Sequence, residues 1–180
     1  MRLAGFFVYP AFLAIAGCAT PPPVPEGTGA KPFVIEQALQ GDTVARGEFR
    51  SITGVQRGFN AQLHGKWDGR YFTLVEDFAY DDGEKDRKTW RLERVAPGKY
   101  IGHREDVVGR ASGTQDGNVF RLEYDVVLPA KKGKGTQVHF RDVMALNHEG
   151  AVVNNAVVSF WGFRVGHVHL VIQRTGPSKD

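Results

Sequence analysis

From Thr43 to Arg174 the chain alternates apolar and polar residues with a period of two, and Gly, Asp and Pro interrupt the alternation at short intervals. A period of two places successive side chains on opposite faces of an extended strand, so the pattern restricts this region to β-structure with one packed face. The runs are Thr43 to Ile52, Gly58 to Trp67, Arg70 to Tyr80, Lys88 to Val95, Lys99 to Val107, Arg110 to Thr114, Asn118 to Leu128, Gln137 to Asn147, Ala151 to Phe160 and Val165 to Arg174. Asp68-Gly69, Asp82-Gly83 and Asp116-Gly117 fit tight hairpins in which a residue takes a positive φ. Only Phe33 to Leu39 has room for a short helix or turn. The expectation is an all-β, antiparallel, up-and-down fold of eight to ten strands. A closed barrel or strongly curved half-barrel is preferred over a two-sheet sandwich, because closure removes exposed edges. A membrane barrel is disfavoured, since its strands would carry a lipid-facing apolar band flanked by aromatic girdles.

Alternation also assigns faces. In Arg70 to Tyr80 the heavier apolar face holds Phe72, Leu74, Glu76, Phe78 and Tyr80. In Asn118 to Leu128 it holds Phe120, Leu122, Tyr124, Val126 and Leu128, and in Gln137 to Leu146 it holds Val138, Phe140, Asp142, Met144 and Leu146. Trp90 and Leu92 face in, with Arg94 at the rim. Two carboxylates, Glu76 and Asp142, are thereby placed among core-facing residues. A buried carboxylate costs several kcal/mol unless it is paired or protonated. Arg87, Arg104, Arg164, Asn154 and Asn155 are the available partners. The arrangement reads either as a buried polar network that fixes the barrel register or as the polar end of an apolar ligand cup. Acid–base catalysis by the two carboxyls is the weaker third reading, because nothing in the sequence sets their separation. No Gly-x-Ser-x-Gly context surrounds Ser112 or Ser159, so a serine-hydrolase triad has no support. His167 and His169 share a strand face but lack a third ligand. Asp81-Asp82-Gly83-Glu84 lacks the spacing of a calcium loop and reads as a turn. Trp67, Trp90 and Trp161 read as core or rim packing. No metal, cofactor or nucleic-acid site is expected.

The N-terminus carries an address. Arg2 is followed by the almost wholly apolar stretch Leu3 to Ala16, the length of a signal-peptide core and shorter than the ~20 residues of a membrane-spanning helix. It ends in Ile15-Ala16-Gly17-Cys18, which resembles the lipobox of bacterial lipoproteins, where the cysteine is lipidated and becomes the new N-terminus. Cys18 is the only cysteine, so neither a disulfide nor a cysteine-rich metal site is available. Ala19, where an Asp would signal inner-membrane retention, resembles an outer-membrane address. The organisation read here is a signal peptide over 1–17, a lipidated cysteine and Pro/Gly-rich tether over 18–31, and a single barrel-like domain over 32–180. Pro21-Pro22-Pro23-Val24-Pro25 is expected in polyproline II, giving a free tether able to hold the domain roughly 40 Å from the bilayer at ~3.1 Å per residue. Net charge is +3. Charges are mixed in sign, and the one basic run, Lys131-Lys132-Gly133-Lys134, reads as a solvated hairpin loop, with contact to anionic headgroups as its functional alternative.

Leu74 to Glu84 followed by Arg87 and Trp90, then Tyr100-Ile101-Gly102 leading to Asp106-Val107-Val108-Gly109, Ala111, Gly113 and Gly117-Asn118, resemble two blocks of an uncharacterised proteobacterial lipoprotein family, domain of unknown function 3833. Asp142-Val143-Met144 with Asn154-Asn155, and Gly162 to Gly166, resemble two further blocks. Where the family more often reads Asp-Asp-Trp-Met, this chain has Arg141 and Val143, which puts in doubt any role for a paired acid or an aromatic there. The resemblance implies a lipocalin-like barrel facing the periplasm and carries no activity. The expected function is binding of a lipid or other small hydrophobic molecule, with Glu76, Asp142, Arg87, Asp106, Asn154, Tyr80, Trp90 and Tyr124 as the ligand site or polar network. The alternative is an envelope scaffold that binds another protein.

Overall fold

The structure, a computed structural model, describes residues 20–129 and 133–175. Cys18, the leader before it, Lys131, Lys132 and the Gly176-Pro177 turn lie outside the described residues. A four-residue helix α1 (Ile35–Ala38) precedes ten strands: β1 (Gly41–Ser51), β2 (Gln56–Trp67), β3 (Tyr71–Tyr80), β4 (Lys85–Ala96), β5 (Lys99–His103), β6 (Val107–Asp116), β7 (Val119–Leu128), β8 (Thr136–Leu146), β9 (Val152–Phe160) and β10 (Phe163–Arg174). Every strand pairs antiparallel with its sequence neighbours, and β1 also pairs with β10, with Ala45 opposite Ile172 and Phe49 opposite Val168. The sheet is therefore a closed up-and-down barrel, as the alternation and turns predict.

Local chemistry explains the hairpins. Gly69, Gly83 and Gly117 take positive φ, as their Asp-Gly pairs predict. The Asp68 carboxylate accepts from the backbone N–H of Arg70 at 2.9 Å and of Tyr71 at 2.7 Å. Asp82 accepts from the N–H of Glu84 at 3.1 Å, which makes Asp81 to Glu84 a hairpin turn. The β5–β6 break falls at Arg104 to Asp106 and not beyond Val107, because the Val107 N–H closes a turn on the Arg104 carbonyl at 3.1 Å. Leu128, expected inside, is exposed where β7 leaves the barrel, and Trp161, expected in packing, stands at the tip of the β9–β10 hairpin.

The two barrel ends differ. One is plugged: α1 lies across it, burying Phe33, Ile35 and Leu39 in the main core. The Phe33 N–H donates to the Gly117 carbonyl at 3.1 Å, and its ring sits 6.2 Å from Phe120. The other end, the mouth, carries the β1–β2, β3–β4, β5–β6, β7–β8 and β9–β10 connections.

The proline segment departs from the free tether expected of it. Pro22 and Pro25 are buried, Asn155 Nδ2 donates to the Pro23 carbonyl at 3.1 Å, and Thr28 bridges Asn147. The segment lies on the outer wall of β7, β8 and β9, where Val143, Ala145, Val153 and Val157 point outward and are nonetheless buried. Polyproline II leaves its backbone unpaired, but its rings are apolar, and covering this wall removes more hydrocarbon from water than a solvated tether would. Removing residues 20–30 is expected to re-expose these side chains, at a cost of about 2 kcal/mol, and to lower Tm by roughly 4–8 °C. Superimposable melting curves would show that the segment adds nothing to barrel stability.

Candidate functional site

The barrel interior is apolar towards the plug and polar towards the mouth. β3 carries Glu76 inward, opposite Leu63 of β2 and Lys88 of β4. β8 carries Asp142 inward, opposite Leu122 of β7 and Ala156 of β9. Asn154 Nδ2 donates to Asp142 Oδ1 at 2.9 Å, and the Tyr124 hydroxyl is a second hydrogen-bond partner of that carboxylate. Arg104, at the end of β5, places its guanidinium 4.6 Å from the Trp90 ring centroid and 5.3 Å from that of Tyr124. It bonds Asp106 at 2.6 Å, and its Nη1 stands 4.0 Å from Glu76 Oε2. Lys88 bridges Asp86 at 3.0 Å and Asp106 at 3.4 Å.

Electrostatics separate these acids. Burial raises Glu76 to about 7, with the charges of Asp142, Asp106 and Glu105 adding to it, and Arg104 recovers only part of the loss. Burial raises Asp142 to about 6, against the opposing pull of Asn154, Tyr124 and Arg104. Burial also raises the Tyr124 phenol, helped by Asp142, so it remains a donor. For Asp106, half in solvent, burial is outweighed by Arg104 and Lys88, and its value falls.

Between plug and mouth lies a cavity of about 60 Å³, walled by Leu63, Leu74, Phe78, Leu122 and Met144, with Glu76 and Asn154 in the lining. That is room for a few waters and well below the ~300 Å³ at which drug-sized ligand pockets begin. The cup expected from the sequence is thus nearly filled by its own side chains. Phe59, Phe78 and Tyr80 crowd the mouth, with ring centroids 5.6 to 6.0 Å apart. The Arg57 guanidinium caps Tyr80 at 3.7 Å. Of the polar residues that line the cavity, Glu76 Oε2 and Asn154 Oδ1 are buried with no hydrogen-bond partner. Such atoms are expensive to bury alone.

Of the residues singled out in the sequence, Glu76, Asp142, Asp106, Asn154, Trp90 and Tyr124 converge in this half of the barrel, and Tyr80 stands at its mouth. Arg87 does not join them: it faces outward and pairs with Asp77, Nη2 donating to Oδ2 at 2.9 Å, because it is opposite Asp77 on the outer face of the β3–β4 pair. Arg164 is exposed, and Asn155 faces outward, where it also bonds His169 Nδ1 at 2.8 Å. Arg141 and Val143, the departures from the family pattern, likewise belong to the outer wall under Pro22 and leave Asp142 undisturbed. Sequence reasoning missed Lys88 and Asp86, which register with β3 turns inward, and the buried Glu36. Glu36 pairs with Arg94 and accepts from the Tyr100 hydroxyl at 2.9 Å, tying α1 to the barrel floor.

The sequence model of a family described as "Protein of unknown function (DUF3833)" matches residues 12–174. No curated protein matches significantly. Among solved structures, the S-type phycobiliprotein lyase CPES of Guillardia theta is similar over 79% of this chain and 92% of its own, at 10% identity and a TM-score of 0.58. Rv2717c of M. tuberculosis is similar over 77% of this chain and 94% of its own, at 17% identity and a TM-score of 0.55. At these identities the likeness is one of fold: the chain shares a lipocalin-like barrel with both.

Proposed function

The chain belongs to DUF3833, a protein family of unknown function, and from that premise we propose that it is a lipid-anchored periplasmic protein of the bacterial outer membrane whose barrel takes up a small amphipathic molecule. One observation carries the binding reading. Glu76 Oε2, which Arg104 approaches no closer than 4.0 Å, and Asn154 Oδ1 have no hydrogen-bond partner and are buried in the half of the barrel where Glu76 and Asn154 line an otherwise apolar cavity. A guest with an apolar body and one donor or acceptor group satisfies them while adding hydrophobic contact. A longer chain enters only if Phe59, Phe78 and Tyr80 swing from the mouth. The fold supports the reading in kind, since one similar barrel is named as a phycobiliprotein lyase, a protein named for its action on pigment proteins. We read the chain as a binding protein and not an enzyme, because Glu76 and Asp142 are held in the interior.

Met144 lines the cavity and is the only methionine after the leader. Its methyl resonance therefore reports on the cavity alone. Titration with 1-pentanol is expected to shift that resonance saturably in the wild-type protein. Ala61→Phe, which fills the cavity from the β2 wall, is expected to abolish the shift while the far-ultraviolet circular dichroism stays unchanged. An equal shift in a folded Ala61→Phe protein sinks the reading. Native mass spectrometry of the same preparations identifies any guest carried from the cell.

The anchor rests on Arg2, the apolar core and Ile15-Ala16-Gly17-Cys18. Several acyl chains on one residue hold a protein stably, at ~0.8 kcal/mol per buried methylene. Metabolic labelling with an alkynyl palmitate is expected to tag the wild-type chain and to be lost in Cys18→Ser; label retained in that variant would exclude this site.

A further inference from the structure

We propose that the mouth end of the barrel docks on the lipid bilayer, with the β9–β10 hairpin as an aromatic wedge in the headgroup layer. The four most exposed large apolar side chains among the described residues gather there. Trp161 is 87% exposed, Phe163 67%, Ile52 66% and Val55 57%. They form one patch, because the β1–β2 turn is hydrogen-bonded to the hairpin, Ile52 N–H to the Val165 carbonyl at 3.0 Å. Trp161 stacks on Phe160 at 5.8 Å, so the tip presents a ledge of two rings with Phe163 beside it. An amphipathic indole is the side chain that the membrane interface favours.

The backbone points the same way. Trp161 takes φ +50 and Gly162 φ +81, the turn geometry that Asn-Gly adopts at least cost. A bulky residue in the left-handed region costs of order 1–2 kcal/mol, and the largely exposed Trp161 ring gains little folded-state burial to offset it. Strain held without a folding reward marks a residue kept for what it touches outside the fold.

The path of the N-terminus selects lipid over other occupants; this step rests on the lipidation of Cys18. The segment passes Leu146 at Gly29, Asn155 at Pro23, and the Glu123 and Arg141 level at Pro21 and Pro22. It therefore runs along β8 from the plugged end towards the mouth. Pro21 is three positions from Cys18, a span of at most about 11 Å. A lipid on Cys18 is thus held within that reach of Pro21, on a segment already heading for the mouth, and the docked prolines leave the barrel little slack to stand off. Lys134, exposed in the β7–β8 connection, stands at the same end, the side that anionic headgroups attract.

The full-length lipidated protein, reconstituted in vesicles of phosphatidylethanolamine and phosphatidylglycerol (3:1), provides the test. Trp161 is one of three tryptophans; Trp90 is buried and Trp67 half-buried. Brominated acyl chains are expected to quench about a third of the tryptophan emission, and Trp161→Asn, which suits the positive φ, is expected to remove that component and leave the melting temperature unchanged or higher. Anchored protein with no quenching difference between wild type and Trp161→Asn overturns the docking while leaving the anchor standing. Crosslinks from Trp161 to a protein in native envelopes, with quenching absent, assign the wedge to a protein partner and likewise overturn it. Unlabelled Cys18 together with Trp161 quenching in the lipid-free Cys18→Ser chain overturns the anchor alone and retains the docking.

Discussion

Raising the pH from 5 to 8 is expected to lower the melting temperature of the barrel, and Glu76→Gln is expected to remove most of that loss. Glu76 binds its proton more tightly in the folded chain, at about 7 against an ordinary 4.5. Between these values the folded state holds more protons than the unfolded state, so the free energy of unfolding falls as pH rises. A difference of that size corresponds to about 3 kcal/mol for a single group, or roughly 6–12 °C in Tm for a domain of this length. Asp142 acts in the same direction over a lower window, from its ordinary value of 3.8 to about 6. The acids that pair with arginines near the surface act oppositely: Asp77, Asp82 and Asp106 are lowered, and their contributions are lost only in stronger acid. Stability should therefore peak at about pH 4, where the raised acids still hold their protons and the lowered ones have lost theirs. Glutamine keeps the shape of a protonated glutamate, so the variant should match the wild type at pH 5 and melt higher at pH 8. A wild-type Tm that is flat or rises between those values, or a Glu76→Gln difference that is the same at both, contradicts the assignment of a proton to this site.

How much of this was legible beforehand depends on the strand. In β3, β7 and β8 the outward positions are mostly polar in sequence, so alternation alone turned Glu76, Tyr124 and Asp142 inward, where the structure has them, although the proline segment covers outward Val143 and Ala145. In β9 the pattern Val152-Val153-Asn154-Asn155-Ala156-Val157-Val158 carries apolar residues on both faces. A strand covered on both sides reads this way, and that signal, properly weighed, announced the docked proline segment. Arg104 was harder to place because it follows the last residue of a short strand, where period-two reasoning ends. Arg87 misled because a guanidinium is a natural partner for a buried carboxylate, while register assigns it to Asp77 on the outer face. Glu36 left no periodic trace, since α1 is too short to show one and its acid is buried only by the barrel it closes. Which interior is hollow was not legible at all. It depends on how large residues lean over small ones of neighbouring strands, as Phe59 over Gly47 and Phe120 over Gly113 do, and that is set by register and barrel closure together.

The same large-on-small packing makes Gly65 the most sensitive point of the plug. Gly65 faces inward on β2, and a Cβ there would overlap the carbonyl oxygen of Leu39, with the Phe72 ring close on another side. Leu39 cannot yield by rotating a side chain, because the clash is with its backbone, which is held by its own N–H on the Ile35 carbonyl at 3.0 Å. Gly65→Val must therefore lift the end of α1 away from the barrel floor. Phe33, Ile35 and Leu39 are almost fully buried, and fully burying one such side chain is worth ~1.5–3 kcal/mol. Loosening even two of them costs at least about 3 kcal/mol and leaves Glu36 without the desolvated partners Arg94 and Tyr100. The variant is expected to melt lower by roughly 6–12 °C or more, to be cut by protease between residues 30 and 41, and to bind an apolar dye. The barrel strands are joined to one another independently of α1, so far-ultraviolet circular dichroism should retain its β signature. The outcome also bears on binding, since an undocked plug turns the small closed cavity into an open well with Leu63 and Leu74 on its wall. Under the binding reading, Gly65→Val then takes up longer alcohols than the wild type accepts. A Gly65→Val protein that melts with the wild type and resists protease would mean that α1 does not seat on this glycine.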